Sequence, residues 1–179
     1  MTDKHKNISK FLSLVLRHKP EEINLQLDSN GWADTDQLIG KLKARGFDID
    51  FNLLEEMVLN NDKQRFAFNS DCSAIRANQG HSVNIDLALK PVAAPEILYH
   101  GTVDKFIDAI KAGGLQKMSR QHVHLSQEKD TAIKVAARRG KPVILIIDSG
   151  KMAEDGYLFY VSENGVWLTD KVPVNYIAF

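Results

Sequence analysis

The sequence predicts an α+β protein in two parts, with helices in the N-terminal half and strands in the C-terminal half. Apolar residues recur at helical spacing up to residue 58, whereas short apolar or alternating runs follow residue 96. Between these parts, Pro91 and Pro95 favour an extended linker. We therefore predict domains at 1–90 and 96–179, joined by a linker at 91–95.

The N-terminal half contains three predicted helices. The first ends before Pro20, which places Arg17 and His18 at its C-terminal end. The second covers 35–44, and the third begins after Asp50, a favourable N-cap residue. The predicted buried positions of these helices are Ile8, Phe11, Leu12, Val15, Leu16, Leu38, Ile39, Leu42, Phe51, Leu54, Met57 and Val58.

A β-hairpin is predicted after the three helices. Residues 65–68 alternate in hydropathy, with Phe66 and Phe68 facing inward and Arg65 facing outward, and 73–77 form the return strand. Three helices followed by a hairpin are the order of a winged-helix domain, a common nucleic-acid-binding module.

The C-terminal half contains short strands and two small helices, which predict a mostly antiparallel or mixed sheet. We expect strand 97–100 to stop at Gly101, and the apolar run 143–147 to be a buried strand. Asn164-Gly165 is a strong hairpin signal. The other predicted elements are helices 106–112 and 131–138, strands 122–125, 157–161 and 166–169, and a closing segment, 174–177.

Composition excludes several classes of protein. With 23 Lys+Arg against 23 Asp+Glu, the chain is not a polycation that coats nucleic acid, so phosphate binding must come from local clusters. The single cysteine excludes an intramolecular disulfide framework and a Cys-based zinc cluster. No apolar run reaches the roughly 18 residues that span a bilayer, and the N-terminus lacks the apolar core of a signal peptide. We expect a cytoplasmic protein, no membrane contact and a monomer.

Arginine and histidine residues are the candidates for chemistry. They occur in Arg17-His18 at a helix end, at Arg65 on a strand, in the polar loop Arg76, Asn78, Gln79, Gly80 and His81, in His100-Gly101-Thr102, and in the segment 120–126. Each has a structural alternative: a helix-dipole cap, a solvated strand arginine or a surface loop. His122 and His124 share a strand face, but no carboxylate or cysteine stands nearby with ligand spacing, so we expect no metal.

This set of residues suits recognition and transfer of a phosphate-bearing substrate. Arginine presents a planar fork of donors to phosphate oxygens. Paired carboxylates for acid–base hydrolysis are not evident, and the sequence has no GxSxG, GxxxxGK[ST] or GxGxxG motif.

Motifs along nearly the whole chain resemble the RNA 2′-phosphotransferase family, the NAD-dependent enzymes of the last step of tRNA splicing. The matching stretches are 8–13, Leu16-Arg17-His18-Lys19-Pro20, Gly31-Trp32, Lys63-Gln64-Arg65-Phe66, 75–82, Leu98-Tyr99-His100-Gly101-Thr102 and 120–126.

The resemblance implies a winged-helix-like RNA-binding lobe followed by a lobe with the ADP-ribosyltransferase fold. It implies a catalytic set of Arg17, His18, Arg65 and Arg120. It also implies that NAD, consumed as co-substrate, binds at His100, Gly101, Thr102, His124 and Ser126. His124 would stack on the nicotinamide, and the loop 76–81 would contact substrate or NAD.

The implied reaction removes a 2′-phosphate from an RNA such as a tRNA, in two steps and without a metal. The phosphate attacks C1″ of the nicotinamide ribose, and nicotinamide leaves. The ribose 2″-hydroxyl then attacks the transferred phosphate, which releases 2′-hydroxyl RNA and ADP-ribose 1″,2″-cyclic phosphate. In this scheme Arg17, His18 and Arg65 clamp the phosphate, and Arg120 neutralises it near the nicotinamide ribose.

Two other interpretations stay open from the sequence. One is an ADP-ribosyltransferase that acts on another acceptor, such as a terminal nucleic-acid phosphate or a protein. Protein-modifying members use a glutamate before a late strand, and Glu163 lies in the predicted hairpin turn instead. The other is a non-catalytic, NAD-sensing protein that binds nucleic acid.

Overall fold

A computed structural model of the protein describes residues 3–61 and 63–179. The chain divides into two compact units, Met1–Ala88 and Leu89–Phe179, and each encloses its own apolar core. Helices and short strands are mixed, and every pair of described strands is antiparallel. The predicted α+β class is therefore confirmed, whereas the winged-helix and ADP-ribosyltransferase assignments stay predictions.

The described part of the first unit, residues 3–61 and 63–88, contains three helices and a small sheet. The helices are α1 (Asp3–Arg17), α2 (Thr35–Ala44) and α3 (Phe51–Leu59). The strands are β1 (Ala33–Asp34), β2 (Phe66–Phe68) and β3 (Ala74–Ala77), in the order β1-β3-β2. A 3₁₀ turn, Pro20–Ile23, follows α1.

Side-chain caps explain where two of these helices begin. The Asp34 carboxylate accepts the Gln37 backbone N–H at 2.7 Å, and the Asp50 carboxylate accepts the Leu53 N–H at 2.9 Å. Such caps satisfy N–H groups that have no partner within the helix. The predicted bounds of α2 and the predicted N-cap of α3 are confirmed.

The predicted apolar stripes form the core of the first unit. Leu12 and Leu16 of α1 are fully buried, as is Leu38 of α2. Phe66 is buried and Phe68 packs against the same core, which confirms the inward face of the hairpin. Each fully buried side chain of this size stabilises the fold by about 1.5–3 kcal/mol.

The second unit contains three short sheets and three helices. Its strands are β4 (Ile97–Val103), β5 (Leu115–Gln116), β6 (Val123–Leu125), β7 (Pro142–Asp148), β8 (Tyr160–Val161), β9 (Trp167–Thr169), β10 (Lys171–Val172) and β11 (Ile177–Ala178). They pair as β11-β7-β4, β6-β9-β8 and β10-β5. The helices are α4 (Ile107–Gly113), α5 (Lys129–Ala136) and α6 (Ser149–Glu154), with 3₁₀ turns at Asp104–Phe106 and Val174–Tyr176.

The prediction that Gly101 ends its strand is wrong. Strand β4 continues to Val103, and Gly101 pairs with Ile144 in the ladder to β7. A Cβ atom at position 101 would lie 2.0 Å from the backbone oxygen of Ala132 in α5. Glycine is therefore required because the helix lies directly on the strand.

The apolar run 143–147 is also not buried throughout. Leu145 and Ile147 are fully buried, whereas Ile146 between them is 40% exposed. The run lies in β7, which pairs antiparallel with both β4 and β11. One face of this sheet packs on the core and the other is partly open, as is common in antiparallel sheets.

The predicted hairpin at Asn164-Gly165 is confirmed, because β8 and β9 pair antiparallel around it. Gly165 has φ +74°, and its N–H donates to the Ser162 carbonyl at 2.8 Å. Positive φ favours glycine at this position. None of the described helices combines the length and apolar character needed to cross a membrane.

Candidate functional site

The C-terminal end of α1 is held by the segment that follows the polar loop. The backbone N–H groups of Ser82 and Val83 both donate to the Arg17 carbonyl, at 2.9 and 3.3 Å. The His18 Nδ1 and the Ser82 hydroxyl are hydrogen-bonded at 3.0 Å. Arg17 and His18, predicted from their position at a helix end, are therefore anchored by residues more than sixty positions later in the chain.

Arg17 and Arg65 meet at one carbonyl group. The Arg17 Nη2 donates to the Arg65 backbone oxygen at 3.3 Å, and the same oxygen accepts the Asn78 N–H at 2.9 Å. The end of α1, the residue before β2 and the residue after β3 thus converge. The structure brings together the three first-unit members of the predicted catalytic set.

Two buried asparagines position the segment around Arg65. The Arg65 Nη1 donates to the Asn61 Oδ1 at 3.4 Å. The Asn78 side-chain amide donates to the Gln64 carbonyl at 2.6 Å, and Gln64 has φ +44°. Asn78 therefore supports an unfavourable backbone conformation next to Arg65. Asn61 was not among the predicted site residues.

Arg17, His18, Arg65 and Arg76 form the basic cluster of the first unit, and His81 lies among them. It is 1% exposed, and neither ring nitrogen has a hydrogen-bond partner among the described residues. Burial, followed by the positive charges of Arg17, His18 and Arg76, lowers the pKa of His81 to about 4. The ring is therefore neutral at pH 7.

The other residues of the predicted loop have different surroundings. The Arg76 guanidinium carbon lies 4.5 Å from the centre of the Trp32 ring. Gln79 and Gly80 are partly exposed, and Gly80 has φ +87°, which allows the chain to turn toward His81.

The second unit holds His100 and His124 on adjacent strands. Tyr99 and Ser126 exchange backbone hydrogen bonds of 2.7 and 2.9 Å, which join β4 to the end of β6. The His100 Nδ1 lies 2.9 Å from the His124 backbone oxygen. A carbonyl oxygen only accepts, so the His100 Nδ1 carries the proton. Burial lowers the pKa of His100, so the ring is neutral and its Nε2 is an acceptor.

Arg120 determines the opposite tautomer for His124. Its Nη1 lies 3.0 Å from the His124 Nδ1. A guanidinium only donates, so this nitrogen of His124 carries the lone pair and its Nε2 carries the proton. Neighbouring histidines thus have opposite hydrogen-bonding senses, with an acceptor Nε2 on His100 and a donor Nε2 on His124.

His100, Arg120 and His124 form the basic cluster of the second unit, and Arg139 adds positive charge to it. It lies in the turn after α5, and its charge opposes protonation of His100. Burial, with a further contribution from Arg139, lowers the pKa of Arg120. Sequence reasoning missed Arg139, because only the packing of α5 on β4 brings it to this region.

Gly101, Thr102 and Ser126 each have structural surroundings of their own. Gly101 lies under α5, and Thr102 is 7% exposed. The Ser126 hydroxyl donates to the Glu128 carbonyl at 2.9 Å and accepts the Glu128 N–H at 3.1 Å, which closes the turn before α5. Their roles in NAD binding stay predictions.

The predicted catalytic set is divided between the units, with Arg120 in the second. His122 precedes β6, and its ring lies 5.8 Å from that of Tyr160. Over residues 3–61 and 63–179, no group of three His, Cys, Asp or Glu side chains is placed to hold a metal ion.

Comparison with known proteins identifies the family. The sequence profile of the RNA 2′-phosphotransferase, Tpt1/KptA family matches residues 3–171. The chain belongs to the RNA 2′-phosphotransferase family. The matched span includes every predicted site residue, and the resemblance found in the sequence motifs is confirmed.

Proteins named probable RNA 2′-phosphotransferase are similar to this chain over nearly the whole length of both. The probable RNA 2′-phosphotransferase of Flavobacterium johnsoniae is 59% identical, with 97% of this chain and 96% of that protein aligned. The protein of the same name from Fusobacterium nucleatum is 53% identical over 99% of both chains. That of Burkholderia pseudomallei is 52% identical, with 96% and 93% aligned.

Proposed function

We propose that the protein removes a 2′-phosphate from RNA by transferring it to the ADP-ribose part of NAD. Nicotinamide, 2′-hydroxyl RNA and ADP-ribose 1″,2″-cyclic phosphate are the products. The observation that carries the proposal is the family match over residues 3–171, which spans both basic clusters. NAD is a substrate in this reaction, because it is consumed.

The first unit supplies a clamp for the RNA 2′-phosphate. Arg17 is held by its hydrogen bond to the Arg65 carbonyl, His18 by its bond to Ser82, and the Arg65 guanidinium by its bond to Asn61. Guanidinium groups bind phosphate oxygens through charge-assisted, often bidentate hydrogen bonds. A 2′-phosphate arrives already ionised, so the attack requires positioning and charge neutralisation instead of a strong general base.

The second unit has residues that fit a nucleotide ribose and its phosphate. A ribose hydroxyl can donate to the acceptor Nε2 of His100. Arg120 is hydrogen-bonded to His124, the residue assigned by resemblance to stack on nicotinamide, and it supplies positive charge for the phosphate near the nicotinamide ribose. The acceptor nitrogen of His100 and the charge of Arg120 support the assignment of NAD to this cluster.

Each of the two steps breaks one bond for the bond that it forms. A phosphate oxygen forms a bond to C1″ while the C1″–N bond breaks, and its electron pair stays with the departing neutral nicotinamide. The 2″-hydroxyl oxygen then bonds to phosphorus, and the RNA 2′-oxygen leaves. The proton lost from the 2″-hydroxyl replaces the phosphate on that 2′-oxygen. Arg17 and Arg65 neutralise the charge of the RNA 2′-phosphate, and Arg120 is assigned to the phosphate near the nicotinamide ribose.

The test is incubation of the protein with NAD and a short RNA that bears one internal 2′-phosphate, with all products resolved. We expect 2′-hydroxyl RNA and ADP-ribose cyclic phosphate in equal amounts. Arg120→Ala should lower the rate on the order of 10²–10³-fold, as for loss of other preorganised charge-stabilising donors. Arg138→Ala is the matched control, because Arg138 is an exposed arginine of the same unit.

The other outcomes separate the competing functions. Accumulation of RNA joined to ADP-ribose through the phosphate would indicate a transferase whose natural acceptor differs. A folded protein that binds NAD but never consumes it would contradict the proposal and support the sensor interpretation.

A further inference from the structure

Trp32 and Arg76 form a stacked pair to which the proposed reaction assigns no specific role, although the loop that begins at Arg76 is expected to contact substrate or NAD. The Arg76 guanidinium carbon lies 4.5 Å from the centre of the Trp32 ring, and both side chains are partly exposed. Arg76 is in β3, paired with Ala67 of β2. Stacking on an aromatic face orients a guanidinium while its N–H groups point outward in its own plane, where they can donate to a phosphate.

The Trp32 side of the pair is held by a closed turn. The Asp28 carboxylate accepts the backbone N–H groups of Asn30 and Trp32, both at 2.8 Å, and the Asp28 N–H donates to the Trp32 carbonyl at 2.9 Å. Gly31 has φ +80°, which this turn requires. The backbone that carries the Trp32 ring is therefore preorganised, which reduces the entropy cost of binding.

The stacked pair adjoins the proposed phosphate clamp through His81. A Cβ atom at Gly31 would lie 3.7 Å from the His81 Nε2, so the Trp32 turn packs against His81. The next residue, Ser82, is bonded to His18. His81 is also within electrostatic reach of both Arg17 and Arg76. Arg76 thus belongs to the same basic cluster as the clamp.

The charge of the substrate matches this larger cluster. An internal 2′-phosphate sits next to a 3′-phosphodiester on the same ribose, so a dianion and a monoanion occupy neighbouring oxygens. The clamp residues Arg17 and Arg65 are assigned to the dianion. Arg76 is a further arginine of the same cluster, so it is the one available in position for the neighbouring phosphodiester.

We infer that Arg76, oriented by Trp32, binds a backbone phosphate of the RNA next to the 2′-phosphate that is removed. The inference rests on the proposed function for the identity of the RNA. It does not depend on the chemistry with NAD, so binding of RNA alone can test it.

The first experiment measures binding of a labelled single-stranded RNA with one internal 2′-phosphate over a range of salt concentrations, without NAD. Arg76→Gln should weaken binding about tenfold at low salt, the effect of losing one charge-assisted hydrogen bond. It should also reduce the slope of log K against log salt by about 0.7, the single-strand value for one phosphate contact. Arg45→Gln is the matched control, because Arg45 is exposed and pairs with Glu22 at 3.5 Å.

Variants of Trp32 test whether its ring orients the Arg76 guanidinium, because they leave the charge of Arg76 in place. Trp32→Leu should weaken RNA binding several-fold with the salt slope unchanged, and Trp32→Phe should restore binding because it keeps an aromatic face. If Arg76→Gln lowers the thermal midpoint of unfolding, the Arg76→Lys variant is measured in its place. That variant should keep the salt slope and lose part of the affinity, since lysine cannot form the planar stack.

The second experiment decides which phosphate Arg76 contacts. Arg76→Gln should lower kcat/KM about tenfold for RNA with an internal 2′-phosphate, and leave it unchanged for a nucleoside 2′-phosphate with a free 3′-hydroxyl. The KM for NAD should not change.

An equal loss on both substrates, a raised KM for NAD, or an unaltered salt slope in a folded variant would each overturn the inference. If the wild-type protein binds the RNA but does not consume NAD, the proposed function fails while the binding arm still tests Arg76.

Discussion

Hydrogen-bond partners determine the tautomers of two histidines in the second unit, whereas burial determines the charge of one histidine in the first. His100 must hold its proton on Nδ1 because a carbonyl faces that atom, and His124 must leave its own Nδ1 bare because Arg120 faces it. His81 is neutral for another reason, since it is buried among cations. Each ring therefore has a fixed role at pH 7.

We expect the free energy of unfolding to fall as the pH decreases from about 6.5 to about 4. The pKa of His81 is about 4 in the folded protein against 6.5 for an ordinary histidine, so the unfolded chain binds a proton first. The part of the free energy of unfolding that comes from keeping His81 neutral is complete above pH 6.5. It falls by about 3 kcal/mol as the pH approaches 4. Urea denaturation at a series of pH values measures it. His81→Phe should show a smaller loss of stability, and an unchanged pH dependence would contradict this assignment.

At the scale of elements, the contact of α5 with β4 is the tightest requirement in the second unit. We expect Gly101→Ala to destabilise the protein by at least the 1–3 kcal/mol typical of overpacking. The added Cβ would meet the Ala132 backbone oxygen at 2.0 Å, and a helix backbone cannot move aside as a flexible side chain can. A thermal melt measures the effect.

The control is Gly40→Ala in the exposed interior of α2. A Cβ atom there has no neighbour within 4 Å. The substitution should stabilise the protein by roughly 0.5–1 kcal/mol, because alanine loses less conformational freedom in a helix. If Gly101→Ala melted as high as the wild type, the close packing of α5 on β4 would be refuted.

Local signals account for the elements that sequence reasoning predicted well. The caps at Asp34 and Asp50 act within three residues, so the starts of α2 and α3 were predictable. Gly101 was misinterpreted because the atom that requires glycine belongs to a helix thirty residues later. The burial of β7 was overestimated because the sequence does not reveal which sheet face is covered.

In the candidate site too, residues with a local signal were predictable, and residues that matter through a distant contact were not. Arg17, His18 and Arg65 were predicted from a helix end, a strand and a family resemblance. Asn61 and Arg139 were missed, because their importance comes from one side-chain contact or one electrostatic neighbour. No spacing pattern in the sequence encodes such contacts.

At the scale of the whole molecule, a chain of zero net charge still carries a local group of arginines in each unit. In the proposed reaction, arginine side chains provide the charge that a metal ion provides in many phosphoryl-transfer enzymes. We therefore expect excess EDTA to leave the rate of 2′-phosphate removal unchanged, measured with metal-free NAD and RNA. A loss of activity that Mg²⁺ restores would show that the arginines are insufficient.

The glycine between His100 and Thr102 also sets a limit for protein engineering. The three residues look like a single signature, but the middle one is constrained by a helix and its neighbours are the proposed nucleotide contacts. A mutant library intended to accept other dinucleotides should therefore randomise positions 100 and 102 and leave 101 untouched. Clones with a larger residue at 101 would be removed at the folding step, before any selection for a new substrate could act on them.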